Sequence, residues 1–232
     1  MSSAELQVVD DPAAAAAERI VAAAAAGGHV VLTGGSTPGT AYELAAQAEV
    51  DWSGATLWFG DERCVPPDDE RSNFGLAKRT LLDGLRGAAP RVERMEGERG
   101  HEAAARGYEE ALRAELGEGT PSFDLLLLGL GPDGHCASLY PHSPQLEERA
   151  HLVVGVPEAK LEPFVPRVSM TLPLINAAHE VVFLVSGESK AEAVARAFGP
   201  GAQPDGATPS SLVRPASGSL TVLLDSEAAA RL

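Results

Sequence analysis

Apolar and polar positions change rhythm several times along this chain, and each change marks an element. Asp11-Pro12 ahead of an alanine-rich stretch reads as an N-cap and a first-turn proline, so residues 12–26 are expected to be helical until Gly27 and Gly28 stop them. His29-Val30-Val31-Leu32-Thr33 is short and rich in β-branched residues, the mark of a strand. Gly34-Gly35-Ser36-Thr37-Pro38 follows as a loop, and then Ala41, Leu44, Ala45 and Ala48 recur on one helical face. A second apolar run, 55–59, leads into the polar segment Gly60-Asp61-Glu62-Arg63, and Ser72 caps a helix reaching about Leu82. Residues 101–116 alternate charge and alanine at helical spacing, whereas 123–128 is an unbroken apolar run suited to a strand buried on both faces. Further strands are predicted at 152–156, 181–185 and 220–224, with a helix at 190–198 and a Gly- and Pro-rich loop at 199–209. Strand and helix alternate nearly throughout. The pattern predicts an α/β fold of three layers, α/β/α, with a mostly parallel central sheet, formed by a single domain over 1–232.

Composition adds limits. With 44% hydrophobic and 22% charged residues the chain has material for a core, so disorder is excluded. Acidic residues outnumber basic ones by 33 to 18, and the net charge of −15 argues against nucleic acid and membrane surfaces as partners. Cys64 and Cys136 form neither a CxxC pair nor a metal-spaced cluster, which fits a reducing compartment and no metal. The alanine-rich stretch is interrupted by Glu18 and Arg19 and preceded by Glu5, Asp10 and Asp11, unlike a signal peptide. No apolar run approaches the roughly 20 residues that span a bilayer. A cytoplasmic protein, monomeric or weakly homo-oligomeric, is expected.

In open α/β sheets ligands bind beyond the carboxyl ends of strands, so the polar residues after each strand carry the chemistry. Three segments qualify. Gly34-Gly35-Ser36-Thr37-Pro38 combines close backbone approach with a helix start, where Ser36 or Thr37 can cap, Pro38 can take the first helical position, and free N–H groups hold an anion such as phosphate. It is neither a Walker loop nor a dinucleotide fingerprint. Asp61 and Arg63, two apart after an apolar strand, can face one crevice, although a solvated charged turn has the same appearance. Gly129-Leu130-Gly131-Pro132-Asp133-Gly134-His135-Cys136-Ala137-Ser138 surrounds one Asp and one His with glycines, and His135 can take a proton from water and return it to a leaving oxygen.

These segments, with Pro166-Arg167-Val168-Ser169-Met170-Thr171 and Ser186-Gly187-Glu188-Ser189-Lys190, together resemble the 6-phosphogluconolactonase family, in the family's order and over almost the whole chain. The resemblance implies a fold shared with glucosamine-6-phosphate deaminases. It also implies hydrolysis of 6-phosphogluconolactone to 6-phosphogluconate, the second step of the oxidative pentose phosphate route, without metal or other cofactor. It places the substrate phosphate on Gly34, Gly35, Ser36 and Thr37, held by Arg167 and Lys190, with Asp61 and Asn73 at further substrate-binding positions. His135 is then the general base, Asp133 orients either the imidazole or the sugar hydroxyls, and Arg63 with backbone N–H groups of a glycine turn donates to the oxyanion. Two alternatives stand beside this one: a glucosamine-6-phosphate deaminase-like enzyme and a non-enzymatic sugar-phosphate sensor. Against the first, deaminases continue from the Asp-Gly-His turn to an Asn-Glu pair, whereas here no acid follows until Glu147. Against the second, neither a basic helix pair nor spare length for a DNA-binding module is present.

Overall fold

The computed structural model describes residues 4–232. Its elements run β1 (Glu5–Val8), α1 (Pro12–Ala25), β2 (His29–Leu32), α2 (Ser36–Ala46), β3 (Thr56–Phe59), β4 (Asp61–Arg63), α3 (Asn73–Thr80), β5 (Arg91–Val92) and α4 (His101–Leu116). Then come β6 (Leu125–Leu128), β7 (Val153–Val156), β8 (Arg167–Met170), the short α5 (Leu172–Ile175), β9 (Glu180–Val185), α6 (Ala191–Phe198) and β10 (Ser219–Leu224). Seven strands make one sheet in the order β1-β10-β9-β6-β2-β3-β5, all paired in parallel.

The unbroken apolar runs follow from burial on both faces. In β6, Leu125 and Leu127 pack among the alanines of α1 and α2, while Leu126 and Leu128 pack on the other side against Ala104, Tyr108 and Leu112 of α4. A strand alternates its side chains, so each face needs its own apolar set. Each buried leucine contributes about 1.5–3 kcal/mol relative to exposure. The Asp11 carboxylate accepts the Ala14 N–H at 3.0 Å and starts α1, whose small residues let it lie close to both α2 and the sheet. Helices thus cover both faces, giving the expected three layers.

Three features depart from the sequence reading. Gly35, not Ser36 or Thr37, is the N-cap of α2, and Pro38 is its third residue. The polar segment after β3 is a strand rather than a turn: β4 pairs antiparallel with β8, which pairs with β7, in a second sheet of order β4-β8-β7. Strands β1, β5 and β8 carried no apolar signal, because β1 and β5 are short and partly exposed and β8 buries an Arg and a Ser.

From β2 the chain moves outward to β3 and β5, and from β6 it moves the opposite way to β9 and β10. The crossing between β2 and β6 is therefore the topological switch point, where a crevice opens beyond the strand ends.

Candidate active site

One wall of the crevice is the loop from β2 into α2. The hydroxyl of buried Tyr42 accepts the Thr33 N–H at 2.8 Å and donates to the Thr33 carbonyl at 2.7 Å, pinning the loop's first residue. The N–H groups of Ser36 and Thr37 open the helix and have no acceptor within it, so they remain available to an anion. Gly34 is glycine for a steric reason: a Cβ there would collide with the carboxamide of Asn73.

The second wall is β4 against β8. Asp61 and Arg63 share one face of β4, and the register sets Arg63 directly opposite Arg167 and Asp61 opposite Ser169. Two guanidinium side chains side by side repel unless an anion lies between or near them. Asp61 supplies part of that charge, its Oδ2 standing 4.0 Å from the Arg167 guanidinium. Asp61 is itself held: it accepts the Ser138 hydroxyl at 2.6 Å and the Asn73 carboxamide N–H at 3.0 Å. Burial lowers the Arg167 pKa while Asp61 opposes the shift. Arg167 also donates to the Pro163 and Val165 carbonyls at 2.9 and 3.3 Å, tying down the loop that leads into β8.

The third wall is the turn after β6. The Gly134 N–H donates to the Gly131 carbonyl and the Gly131 N–H to the His135 carbonyl, both at 2.9 Å, so the chain folds back on itself. This closeness is why Gly131 has no side chain, since a Cβ would strike the imidazole. Asp133 Oδ1 lies 2.6 Å from His135 Nδ1 and also accepts the His135 backbone N–H at 3.1 Å. With Nδ1–H donating to the carboxylate, the imidazole keeps its lone pair on Nε2. Burial alone would raise the Asp133 carboxyl, but the hydrogen bond from His135 and the imidazole's charge bring it below its ordinary value. The ring of Tyr140 lies against the imidazole with centroids 4.9 Å apart, limiting its rotation.

These walls enclose a cavity of about 340 Å³, within the usual range for small-molecule sites. The cavity is lined by Gly34, Gly35, Ser36, Thr37, Asp61, Arg63, His135, Arg167 and Lys190, as well as by Leu161 and Glu162 from the loop before β8. Arg63, Arg167 and Lys190 face two carboxylates there, Asp61 and Glu162, so the cavity is locally cationic in a chain whose net charge is −15. Lys190 forms no ion pair among the described residues, and burial lowers its pKa against the pull of Asp133. Two expected site residues stand behind the lining: Asp133 behind His135, and Asn73 behind Asp61 and Gly34. Burial pushes the Cys136 thiol up to about 12 and the Cys64 thiol up to about 11, which leaves both unreactive. No group of three or more His, Cys, Asp or Glu that could hold a metal occurs among the described residues.

Sequence reasoning did not single out Ser138, Tyr140, Glu162 or Glu62. Ser138 and Tyr140 lie in or next to the glycine-rich segment, so their proximity to His135 was a usable signal; the loop of Leu161 and Glu162 has no pattern to find.

A parallel α/β/α sheet with a helix-start loop, a His–Asp pair and clustered cations at its switch point belongs to the class of α/β enzymes that act on small anionic molecules. Residues 4–222 match the family model described as glucosamine-6-phosphate isomerases/6-phosphogluconolactonase, and the chain belongs to that family. It is 42% identical to the 6-phosphogluconolactonase of Mycobacterium tuberculosis over 218 residues, 88% of this chain and 84% of that one. The human 6-phosphogluconolactonase is 43% identical over 178 residues, 76% of this chain and 67% of the human one. Among solved structures, the 6-phosphogluconolactonase of Trypanosoma cruzi superposes with a TM-score of 0.86 at 29% identity, over 100% of this chain and 98% of that one. A monomeric glucosamine-6-phosphate deaminase superposes at 0.81 over 98% of this chain and 100% of its own, but at 22% identity that likeness speaks for the fold alone.

Proposed function

We propose that the chain hydrolyses 6-phosphogluconolactone to 6-phosphogluconate, acting as a single domain at the second step of the oxidative pentose phosphate route. The observation that carries this reading is the Asp133–His135 pair: a 2.6 Å contact occupies Nδ1 and leaves Nε2 as a base at a cationic cavity. The substrate phosphate rests on the N–H groups that open α2, with Arg167 and Lys190 as its cations. His135 Nε2 takes a proton from water as the water oxygen attacks the lactone carbonyl carbon. Asp133 holds the tautomer and stabilises the imidazolium that forms. Arg63 and nearby backbone N–H groups donate to the tetrahedral oxyanion, and this electrostatic contribution is worth about 2.7–4 kcal/mol per donor in comparable sites. Collapse breaks the bond from the carbonyl carbon to the ring oxygen, which takes its proton from His135. Asp61, held by Ser138 and Asn73, accepts sugar hydroxyls rather than protons from carbon.

The deaminase reading lacks its second carboxylate. After His135 the next acid is Glu147, and the side chain against the imidazole is the Tyr140 ring. Supplying 6-phosphogluconolactone and glucosamine 6-phosphate in parallel separates the two: acid release from the lactone is expected. Ammonia release would establish the deaminase instead, and tight binding of sugar phosphates without turnover would establish a sensor.

A further inference from the structure

Strand β4 turns Asp61 and Arg63 toward the cavity and therefore turns Glu62 away from it. Glu62 is only 3% exposed and has no cation within ion-pair distance among the described residues. Its charge is met by four donors. Oε1 accepts the N–H groups of Arg63 and Asn73 at 2.6 and 2.8 Å, while Oε2 accepts the Ser72 hydroxyl at 2.9 Å and the Phe74 N–H at 2.8 Å. The positive end of α3 adds to this stabilisation. Glu62 shares the capping of α3 with Ser72: the Ser72 hydroxyl takes the Gly75 N–H at 3.0 Å, and Glu62 takes those of Asn73 and Phe74, but its bond to the Arg63 N–H on β4 lies outside that cap.

The contacts also lead on to the reacting site. Asn73, held by Glu62 through its backbone, donates its carboxamide N–H groups to the Asp61 carbonyl at 2.8 Å and to the Asp61 carboxylate at 3.0 Å. Those two acceptors fix the orientation of the amide, so Asn73 Oδ1, which has no hydrogen-bond partner, is pressed toward Gly34. One buried carboxylate is thus connected to Asp61, to Arg63 and, through Asn73, to Gly34 of the loop before α2, and does not itself line the cavity.

We propose that Glu62 is a positioning residue that sets the distance between the α2 loop, where the substrate's anion is anchored, and the Asp61–Arg63 wall beside the reacting carbon. The inference rests on the lactonase reading for its chemistry, though not for its geometry. A misplacement of about 1 Å between anchor and reacting centre lowers turnover by roughly 10²-fold. Glu62→Gln would place an NH₂ group where only donors point, losing acceptors for at least one of the two pairs.

The test compares Glu62→Gln and Glu62→Asp with the parent chain, reading kcat and KM for the lactone and the inhibition constant of inorganic phosphate. The expected result is a kcat for Glu62→Gln lower by roughly 10²-fold, with phosphate inhibition retained and part of kcat restored in Glu62→Asp. An unchanged kcat in Glu62→Gln overturns the proposal. So does a folded variant, judged by near-ultraviolet circular dichroism, that loses phosphate binding and kcat together, since Glu62 would then support the anion site itself rather than its distance from the reacting wall. Should Glu62→Gln fail to fold, Glu62→Asp decides: a reduced kcat with intact phosphate inhibition supports the proposal, and a parental kcat overturns it. If the parent chain does not hydrolyse the lactone, the functional reading fails on its own. The positioning is then read by titrating 6-phosphogluconate and phosphate into parent and Glu62→Gln: weakened binding of the sugar acid alone supports it, and equal binding overturns it.

Discussion

In the proposed reaction His135 acts as the base, and two neighbours bear on that role. The Asp133 carboxylate, 2.6 Å from Nδ1, favours the tautomer with its lone pair on Nε2, and the Tyr140 ring restricts the rotation of the imidazole. Removing the base removes general base catalysis, worth about 10² to 10⁴ in rate. His135→Ala is therefore expected to lower kcat by that order with KM little changed, as steady-state kinetics on the lactone would read. Asp133 makes a separate, pH-dependent prediction. Its folded-state pKa is lowered, so its contribution to stability is present above the ordinary carboxylate pKa of about 3.9 and is lost as pH falls through the lowered value. Denaturant unfolding of the parent and Asp133→Asn is expected to differ near neutrality and to converge in acid. The His135 turn was legible because three glycines around two titratable residues are conspicuous in one short segment. Glu62 was not, because nothing in Gly60-Asp61-Glu62-Arg63 tells which carboxylate turns inward; the pairing of β4 with β8 decides it.

Among the elements, α2 and α3 meet at the contact of Gly34 with Asn73. The loop approaches that carboxamide so closely that the smallest side chain displaces one or the other. Gly34→Ala is expected to destabilise the fold by about 1–3 kcal/mol, the usual range for overpacking at a buried site, and to weaken phosphate inhibition by moving the start of α2. Chemical denaturation and inhibition kinetics measure the two effects. A parental inhibition constant would show that the helix start does not hold the anion. The helices α1 and α4 and five strands of the large sheet, β2, β3, β6, β9 and β10, could be read from apolar patterning, because burial of one or both faces imposes it. Of the small antiparallel sheet, β7 was read as a strand at 152–156, whereas β4 and β8 escaped because Asp61, Glu62, Arg167 and Ser169 are buried there and carry no hydrophobic signal.

At the scale of the whole molecule, the proposed function sets a phosphorylated substrate in a cavity where cations outnumber carboxylates, within a chain of net charge −15. Surface charge is screened beyond a Debye length of about 30 Å at 0.01 M salt and about 10 Å at 0.1 M, whereas contacts inside the cavity are screened much less. Raising ionic strength across that interval with a weakly binding salt is expected to increase kcat/KM by relieving long-range repulsion. A steady fall would mean that the cavity's cations already dominate at a distance.

The sequence alone determined what depends on local burial and chain punctuation: the parallel sheet, its covering helices, the glycine loop before α2 and the histidine turn, together with a family likeness that the relatives bear out. Tertiary structure alone decided that Arg63 faces Arg167, that Asn73 stands behind the cavity wall and that Glu62 links α3 to β4. The physical reason lies in the two kinds of interaction. Hydrophobic burial is nondirectional and leaves its period in the chain. Hydrogen bonds and ion pairs between distant segments need particular distances and angles, and those exist only once the backbone has brought the segments together.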